Sequence, residues 1–234
     1  TVRVTVSADN GHSDIGTWRG NEPAGLTMEG EDDLDSNSEG YVSPWEEQGG
    51  SYSIGHPSNE PDIDGHGADG THRAKCPCAS DTNVASWDFT SLTRHNEVYA
   101  AYTFQLDPNM DVPPGLKELI FFADGGVFGW TDLVGTGGTN PPAHMKLNIN
   151  STQYGSETAN NAIYKGTWYQ VEVYIDIVNN VARLWVNGTL VVELTSVDFG
   201  ASSLGAHEMS HTWFGSNVHQ STFIDVGHVY VSTG

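Results

Sequence analysis

Apolar side chains recur at every second position in several segments of the second half of the chain. In EVYAAYTFQL, residues 97–106, the alternate positions hold Val98, Ala100, Tyr102, Phe104 and Leu106. The same alternation runs through residues 143–149 and 168–178. A period of two is typical of a β-strand with one buried face. The pattern therefore predicts long strands that each turn one side toward a core.

The segment VARLWVNGTLVVEL predicts a β-hairpin. Two runs rich in β-branched residues flank Asn187-Gly188, a dipeptide favoured in two-residue type I′ turns. Further strands are predicted over residues 71–79 and in LKELIFFAD, HTWFGSN and FIDVGHVYVST. Since no convincing long helix pattern lies between them, these strands favour an all-β fold, an antiparallel β-sandwich or barrel.

The first 70 residues differ in composition from the rest. Gly, Asp, Glu, Ser, Asn and Pro are frequent there, and MEGEDDLDSNSEG and HPSNEPDIDGHGADG are typical of acidic loops. Trp18, Trp45 and Tyr52 offer apolar anchors in this region. We therefore expect residues 1–70 to form loops and edge strands of one domain that spans residues 1–234.

Charge narrows the range of partners. The sequence has 9 Lys and Arg against 30 Asp and Glu, a formal net charge of −21. Nucleic acid and anionic membrane surfaces are unfavourable partners, because both attract positive charge. No apolar run is long enough to cross a bilayer, so we expect no membrane insertion. The chain begins at Thr1 without a signal-like segment, so we expect a mature, processed chain. We also expect the protein to be secreted and extracellular.

Three further features bear on processing. Asn150-Ser151-Thr152 and Asn187-Gly188-Thr189 are sequons for N-glycosylation in a eukaryotic source. Cys76 and Cys78 are the only cysteines. A disulfide between residues two apart is strained, so we expect two small thiols on a strand.

The strand predicted over residues 143–149 carries an unusual polar face. Met145, Leu147 and Ile149 alternate with His144, Lys146 and Asn148. Lys146 is one of few positive charges in the chain, and it lies between an imidazole and an amide on the same face. A solvated lysine on an ordinary strand is one interpretation, and a binding groove is the other.

The segment KGTWYQVEVYIDIVNNVARLWVNGTLVVE resembles the concanavalin A-like (laminin G-like) jelly roll. GTHRAKCPCAS, the segment from NEVYAAYTFQL to LKELIFF, and the final HTWFGSN and FIDVGHVYVST are similar to segments of the jelly-roll polysaccharide lyases, the alginate and glucuronan lyase group. The order of these segments agrees over roughly residues 70–234. The alginate-lyase signatures QIH and YFKAGxYxQ are absent from the sequence.

This resemblance implies a β-jelly roll whose concave sheet binds a uronate-containing polysaccharide and cleaves it by β-elimination. Such chemistry needs groups that neutralise the substrate carboxylate, a base and an acid. On this basis the predicted catalytic residues are His144, Tyr154, Lys146 and Arg73. The predicted substrate-binding residues are Lys117, Asn148, His211 and Trp130.

Each assignment has a structural alternative. Arg73 would pair with a nearby acid, His144 would end a loop, and Tyr154 would flank a turn. A whole-protein alternative is a non-catalytic carbohydrate-binding or surface module of the same fold, with exposed aromatics such as Trp130 stacking on sugar rings.

A retaining glucanase is less favoured by the sequence. That reaction needs two carboxyl groups about 5–5.5 Å apart. Glu172 and Asp176 share a strand face but lie four residues apart, which is about 13 Å along a strand. No GxSxG motif supports serine-based hydrolysis.

Calcium is the one cofactor that the sequence suggests. Asp33 and Asp35 lie in the acidic segment EGEDDLDSN, which offers the oxygen ligands that calcium prefers. Similar jelly rolls share a structural calcium between an N-terminal loop and an Asp near the C-terminus, which implies Asp225 as the second half of the site. The alternative is a solvated acidic loop.

Overall fold

The computed structural model describes only part of the chain. It covers residues 19–32, 46–48, 62–63, 74–77, 84–89, 96–106, 108, 116–123, 126–135, 143–155, 158–200, 204–212 and 223–234.

The described residues form strands and a single turn of 3₁₀-helix. The strands are β1 (Thr27–Asp32), β2 (Glu46–Gln48), β3 (Asp62–Ile63), β4 (Ala74–Pro77), β5 (Val84–Phe89), β6 (Glu97–Leu106), β7 (Leu116–Ala123), β8 (Gly126–Val134), β9 (Ala143–Ile149), β10 (Thr152–Tyr154), β11 (Ala162–Ile163), β12 (Trp168–Asp176), β13 (Val181–Val186), β14 (Thr189–Leu194), β15 (Leu204–Thr212) and β16 (Phe223–Thr233). The 3₁₀ turn, η1, spans Ala159–Asn161. No helix in the described part is long and apolar enough to cross a membrane.

The strands form two antiparallel sheets. Sheet A has the order β14-β13-β12-β6-β16-β4-β3, and β1 also pairs with β16. Sheet B has the order β10-β9-β8-β7-β15-β5-β2, and β11 also pairs with β9. This is the all-β sandwich that the alternating pattern predicts, and the fold prediction is confirmed.

The main core lies between the sheets. The alternate residues of β6 that the sequence assigns to one face, from Val98 to Leu106, are all buried in it. Met145, Leu147 and Ile149 of β9 enter the same core from sheet B. The hydroxyl groups of Tyr102 and Thr131 share a hydrogen bond of 3.0 Å, so a polar contact also joins the two sheets inside the core.

The predicted hairpin is present as β13 and β14. Asn187 and Gly188 have φ angles of 47° and 74°, both in the left-handed region that a type I′ turn requires. The backbone register pairs Val186 with Thr189 across the turn. The prediction from Asn187-Gly188 is therefore confirmed.

One prediction about the acidic first region is wrong. Met28 to Asp32, the start of MEGEDDLDSNSEG, belong to β1 instead of a loop. Strand β1 pairs with residues 229–233 of β16. Backbone hydrogen bonds to an available strand edge do not need alternating side chains, so the sequence pattern gave no sign of this strand. The Thr233 hydroxyl donates a hydrogen bond to Glu29 and adds a side-chain link to the pair.

Candidate functional site

The polar residues of β9 lie on the outer face of sheet B. Strand β8 places Asp132 opposite Lys146 and Trp130 opposite Asn148. Strand β10, on the other side of β9, places Gln153 opposite Asn148. Paired residues of adjacent strands project on the same side of a sheet. We call this surface the sheet B patch, which consists of Trp130, Asp132, His144, Lys146, Asn148 and Gln153.

Asn161 holds β9 in place beside the patch. On the side of β9 away from β8, β10 covers one end and β11 covers the other, which leaves Met145 and Lys146 between them without a strand partner on that side. The Asn161 amide fills this gap: Nδ2 donates to the Met145 carbonyl at 2.7 Å, and Oδ1 accepts from the Met145 N–H at 3.1 Å. The edge of sheet B is thus closed by a fully buried side chain.

His144 is buried and oriented by the same segment. Its Nδ1 is 3.2 Å from the carbonyl oxygen of Asn161. A carbonyl only accepts, so Nδ1 is the donor in this contact, and Nε2 is the ring nitrogen that can act as an acceptor. Although the sequence placed His144 correctly on the polar face, only 6% of the residue is exposed.

Gln153 crosses over β9 to reach β8. Its Nε2 donates to Asp132 Oδ2 at 2.5 Å, although the two residues belong to strands on opposite sides of β9. Neighbouring strands are about 4.8 Å apart, so the bridge spans two strand spacings. The Gln153 side chain therefore covers the polar surface of β9, and Asp132 is only 4% exposed beneath it.

Asn148 contributes a buried amide to the centre of the patch. It is 5% exposed, and its buried Oδ1 has no hydrogen-bond partner among the described residues. An amide oxygen buried without a partner costs about 1–3 kcal/mol in mutational data. Such a cost in the middle of a polar surface is typical of an atom that meets a ligand or water.

Lys146 lies opposite the Asp132 carboxylate and remains partly exposed. Gly155 lies close to it: a Cβ added there would be 3.1 Å from the Met145 carbonyl oxygen and 3.4 Å from the Lys146 Cα. Because Gly155 has φ +135° as well, both the space and the conformation favour glycine. The chain can therefore pass close to Lys146 as it leaves β10.

Tyr154 does not join the patch. It pairs with Leu147, which belongs to the core-facing set, and it packs against the core. The reason is the short turn between β9 and β10, which fixes the register and puts Tyr154 on the opposite face from Gln153. The geometry does not support the predicted role of Tyr154 as proton donor beside Lys146.

The remaining predicted residues are divided between described strands and parts of the chain outside the described residues. Lys117 lies in β7, where its backbone pairs with Asp132, in the same cross-strand row as Lys146. His211 belongs to β15 and Asp225 to β16. Arg73, Asp33 and Asp35 lie outside the described residues.

The calcium prediction therefore remains untested. Within the described part of the chain, no group of three or more His, Cys, Asp or Glu residues could hold a metal ion.

The two predicted sequons differ in their surroundings. Asn150 Nδ2 donates to the carbonyl oxygens of Asp198 and Phe199, at 3.1 and 3.0 Å. Asn187 instead uses Oδ1, which accepts from the Gln170 N–H at 2.8 Å. Attachment of a glycan to Nδ2 would disturb the contacts of Asn150 more than those of Asn187.

The outer face of sheet A holds a buried carboxylate whose two oxygens both accept hydrogen bonds from the protein. Glu172 is fully buried; it accepts from the Tyr99 hydroxyl at 2.6 Å and from Asn21 N and Nδ2 at 3.0 Å each. Burial and the charge of Glu172 raise the pKa of Tyr99 far above its usual value. Asp176 on the same face accepts two hydrogen bonds from Asn179. These carboxylates serve structural contacts and are not available to a ligand.

Sequence reasoning missed Asp132, Gln153 and Asn161. A signal existed for Asp132, since GWTDL places it two residues from Trp130 and hence on the same strand face. The role of Gln153 depends on the length of the β9–β10 turn. The role of Asn161 depends on a gap between two short strands, which no local pattern reveals.

Comparison with known proteins agrees with this architecture. No protein-family model and no curated protein matches the chain. Solved structures with a similar fold include SCLam, a non-specific endo-β-1,3(4)-glucanase from family GH16, with a TM-score of 0.59 at 13% identity over 90% of this chain and 92% of that chain. The carbohydrate recognition domain of Emp47p has a TM-score of 0.55 at 12% identity over 92% of this chain and 100% of that chain.

An alginate lyase from Pseudomonas aeruginosa is similar as well, with a TM-score of 0.53 at 9% identity over 76% of this chain and 87% of that chain. The fold is a concanavalin A-like jelly roll. At these identities the likeness concerns the fold alone.

Proposed function

We propose that the protein binds a polysaccharide on the sheet B patch. The observation that carries the proposal is Asn148, a buried amide in the middle of the patch whose Oδ1 has no partner among the described residues. A hydroxyl group of a sugar would donate to this oxygen. The partly exposed Trp130 lies on the same cross-strand row and offers an aromatic ring to the apolar side of a sugar.

The charges of the patch also suit a polyol. Lys146 donates hydrogen bonds and the facing Asp132 only accepts them. A sugar hydroxyl does both, so neighbouring hydroxyl groups of one sugar would match the two side chains. The exposed Gln153 side chain would give up its bond to Asp132 as the ligand enters.

Similar folds provide supporting context. A glucanase, a carbohydrate recognition domain and an alginate lyase share the architecture, and all three are named for carbohydrates. Binding of a carbohydrate by this chain is an extension from that context and from the chemistry of the patch.

The binding proposal is tested by affinity gel electrophoresis in gels that contain glucuronan, alginate, pectate, ulvan or a mixed-linkage β-glucan. We expect retardation of the wild-type protein by at least one polymer and a clear loss of retardation in Lys146→Ala. Lys165→Ala is the matched control, because it removes the same charge in the turn after β11. Equal retardation of all three proteins would refute the site, and no retardation in any gel would refute the function.

A second candidate is β-elimination of a uronate-containing polysaccharide at the same patch. The observation that favours it is the orientation of His144, whose contact with Asn161 leaves the Nε2 lone pair as a potential base. Lys146 lies two residues along the same face, roughly 7 Å away, where it would neutralise the substrate carboxylate. Arg73 and Lys117 would assist in that neutralisation.

The elimination would form one C=C bond and break one glycosidic bond. His144 would take the proton next to the uronate carboxyl group, the electron pair would form the new C=C bond, and the bond to the glycosidic oxygen would break. A general acid would return a proton to the leaving oxygen.

Ultraviolet absorbance of the unsaturated uronate tests this candidate on each acidic polymer, with calcium or with a chelator. We expect His144→Gln to abolish the rise in absorbance and to preserve retardation in the affinity gel. Retardation without any rise would leave a binding protein and would refute elimination.

A further inference from the structure

A cavity opens at the edge of the sandwich, away from the sheet B patch. It has a volume of about 510 Å³ and lies between the β9–β10 turn and the segment that follows β14. A smaller cavity of about 260 Å³ adjoins it and shares residues 195–198 with it. We call the larger cavity the edge cleft. Its volume is within the range of small-molecule sites, about 300–1,000 Å³.

The walls of the edge cleft are tied together. Asn150 Nδ2 on one wall donates to the carbonyl oxygens of Asp198 and Phe199 on the other wall. The Val197 N–H donates to the Asn180 carbonyl at 3.2 Å, and Gly200 N–H donates to Asp198 Oδ1 at 2.9 Å. The cleft is therefore formed by the protein itself and does not need a ligand to assemble it.

Several polar groups in the edge cleft have hydrogen-bonding capacity to spare. The hydroxyl groups of Tyr154, Thr152 and Thr195 line it, and none of them bonds to another described residue. The Glu193 carboxylate contacts Arg183 through Oε1, which leaves Oε2 to accept from a ligand. These groups converge on one space instead of being scattered over the surface.

The chemistry of the lining selects the class of ligand. Glu193 and Asp198 are acidic, and the described lining contains no Lys, Arg or His, so an anion would be repelled. Leu194 and Val197 add apolar surface beside the Tyr154 ring. A mixture of hydroxyl groups, acceptors and apolar surface suits an uncharged sugar.

We infer that the edge cleft is a second carbohydrate site, which binds a short neutral saccharide with Tyr154, Thr152 and Glu193 as its polar contacts. The inference does not depend on the proposed function of the sheet B patch, because the two sites share none of their side chains. It also gives Tyr154 a role different from the one that the sequence suggested.

Amide chemical shifts of the full-length protein test this site. The ¹⁵N-labelled chain, produced in bacteria so that Asn150 carries no glycan, is titrated with maltose, cellobiose, lactose and sucrose. We expect at least one disaccharide at millimolar concentration to shift amides of residues 150–154 and 193–198. Shifts confined to other regions, or none with any of the four sugars, would overturn the inference.

Variants separate the two sites. Tyr154→Phe and Thr152→Val each remove one hydroxyl group with little change in the shape of the side chain. Each should weaken binding of the disaccharide by roughly three- to tenfold. Lys146→Ala alters the sheet B patch and should leave this affinity unchanged. Unchanged affinity in both cleft variants would refute the assignment, as would an equal loss in Lys146→Ala.

Discussion

Replacing Asn148 with leucine should stabilise the fold and weaken polysaccharide binding. The amide oxygen of Asn148 is buried without a hydrogen-bond partner among the described residues, so the folded protein bears the cost of removing it from water. Leucine has the same branching and no polar atom. If Asn148 instead stabilised the fold, Asn148→Leu would lower the free energy of unfolding.

The size of the effect follows from the burial. A buried amide without a partner costs about 1–3 kcal/mol, and Asn148→Leu removes this cost. Part of the resulting gain in stability is lost, because leucine is larger than asparagine and must fit the same space. We expect a net gain of about 1 kcal/mol in the free energy of unfolding. For a chain of this size that corresponds to a rise in melting temperature of about 2–4 °C.

Asn161→Leu is the matched control. Asn161 is also buried, but it makes two hydrogen bonds to the backbone of Met145. Its loss leaves two buried backbone groups unsatisfied, at about 1–3 kcal/mol each. Urea denaturation followed by circular dichroism compares the two variants. A loss of stability in Asn148→Leu close to that in Asn161→Leu would refute the reasoning.

Three further predictions concern side chains away from the patch. Tyr99→Phe removes a hydrogen bond to the Glu172 carboxylate and should lower the free energy of unfolding by about 1.5–3 kcal/mol. Tyr169→Phe removes a hydrogen bond from a backbone N–H and should lower it by about 0.5–1.5 kcal/mol. Equal losses of stability in urea denaturation would contradict this difference. Ser151 has φ 66°, so Ser151→Gly should raise the melting temperature, and a fall would contradict the strain assigned to this turn. Burial raises the pKa of Tyr99, so its contribution to stability should be complete below pH about 10 and decline above it as the unfolded chain ionises. Urea denaturation across that pH range checks the decline, which Tyr99→Phe should reduce, and an identical decline in that variant would contradict the assignment.

The strands and the sandwich could be predicted because their signals are local. Alternation from Val98 to Leu106 reports one buried face, and Asn187-Gly188 reports a turn whose backbone angles few residues adopt. Both features depend on residues that are close in sequence. The structure confirms them for the same reason, since period and turn chemistry act over a few residues.

The site could be predicted only in part. The alternation of β9 correctly placed His144, Lys146 and Asn148 on one face. It did not indicate that this face is covered, because the cover is the Gln153 side chain, which reaches across β9 to Asp132. Such a bridge depends on the order of three strands, which the residues of one strand do not encode.

The burial of Glu172 illustrates the same limit. Strand β12 has apolar residues at alternate positions, which predicts one buried face, yet all nine residues are buried. The second face is covered by a contact with Asn21, far away in the sequence. Long-range pairing of this kind follows from the tertiary structure and not from a local period.

The most direct test of the central claim is the retardation of Lys146→Ala beside Lys165→Ala in polysaccharide gels. If the sheet B patch binds the polymer, Lys146→Ala migrates as it does without polymer, and Lys165→Ala is retarded like the wild-type protein. If both variants are retarded like the wild type, the polymer binds elsewhere and the patch is an ordinary face of the sheet.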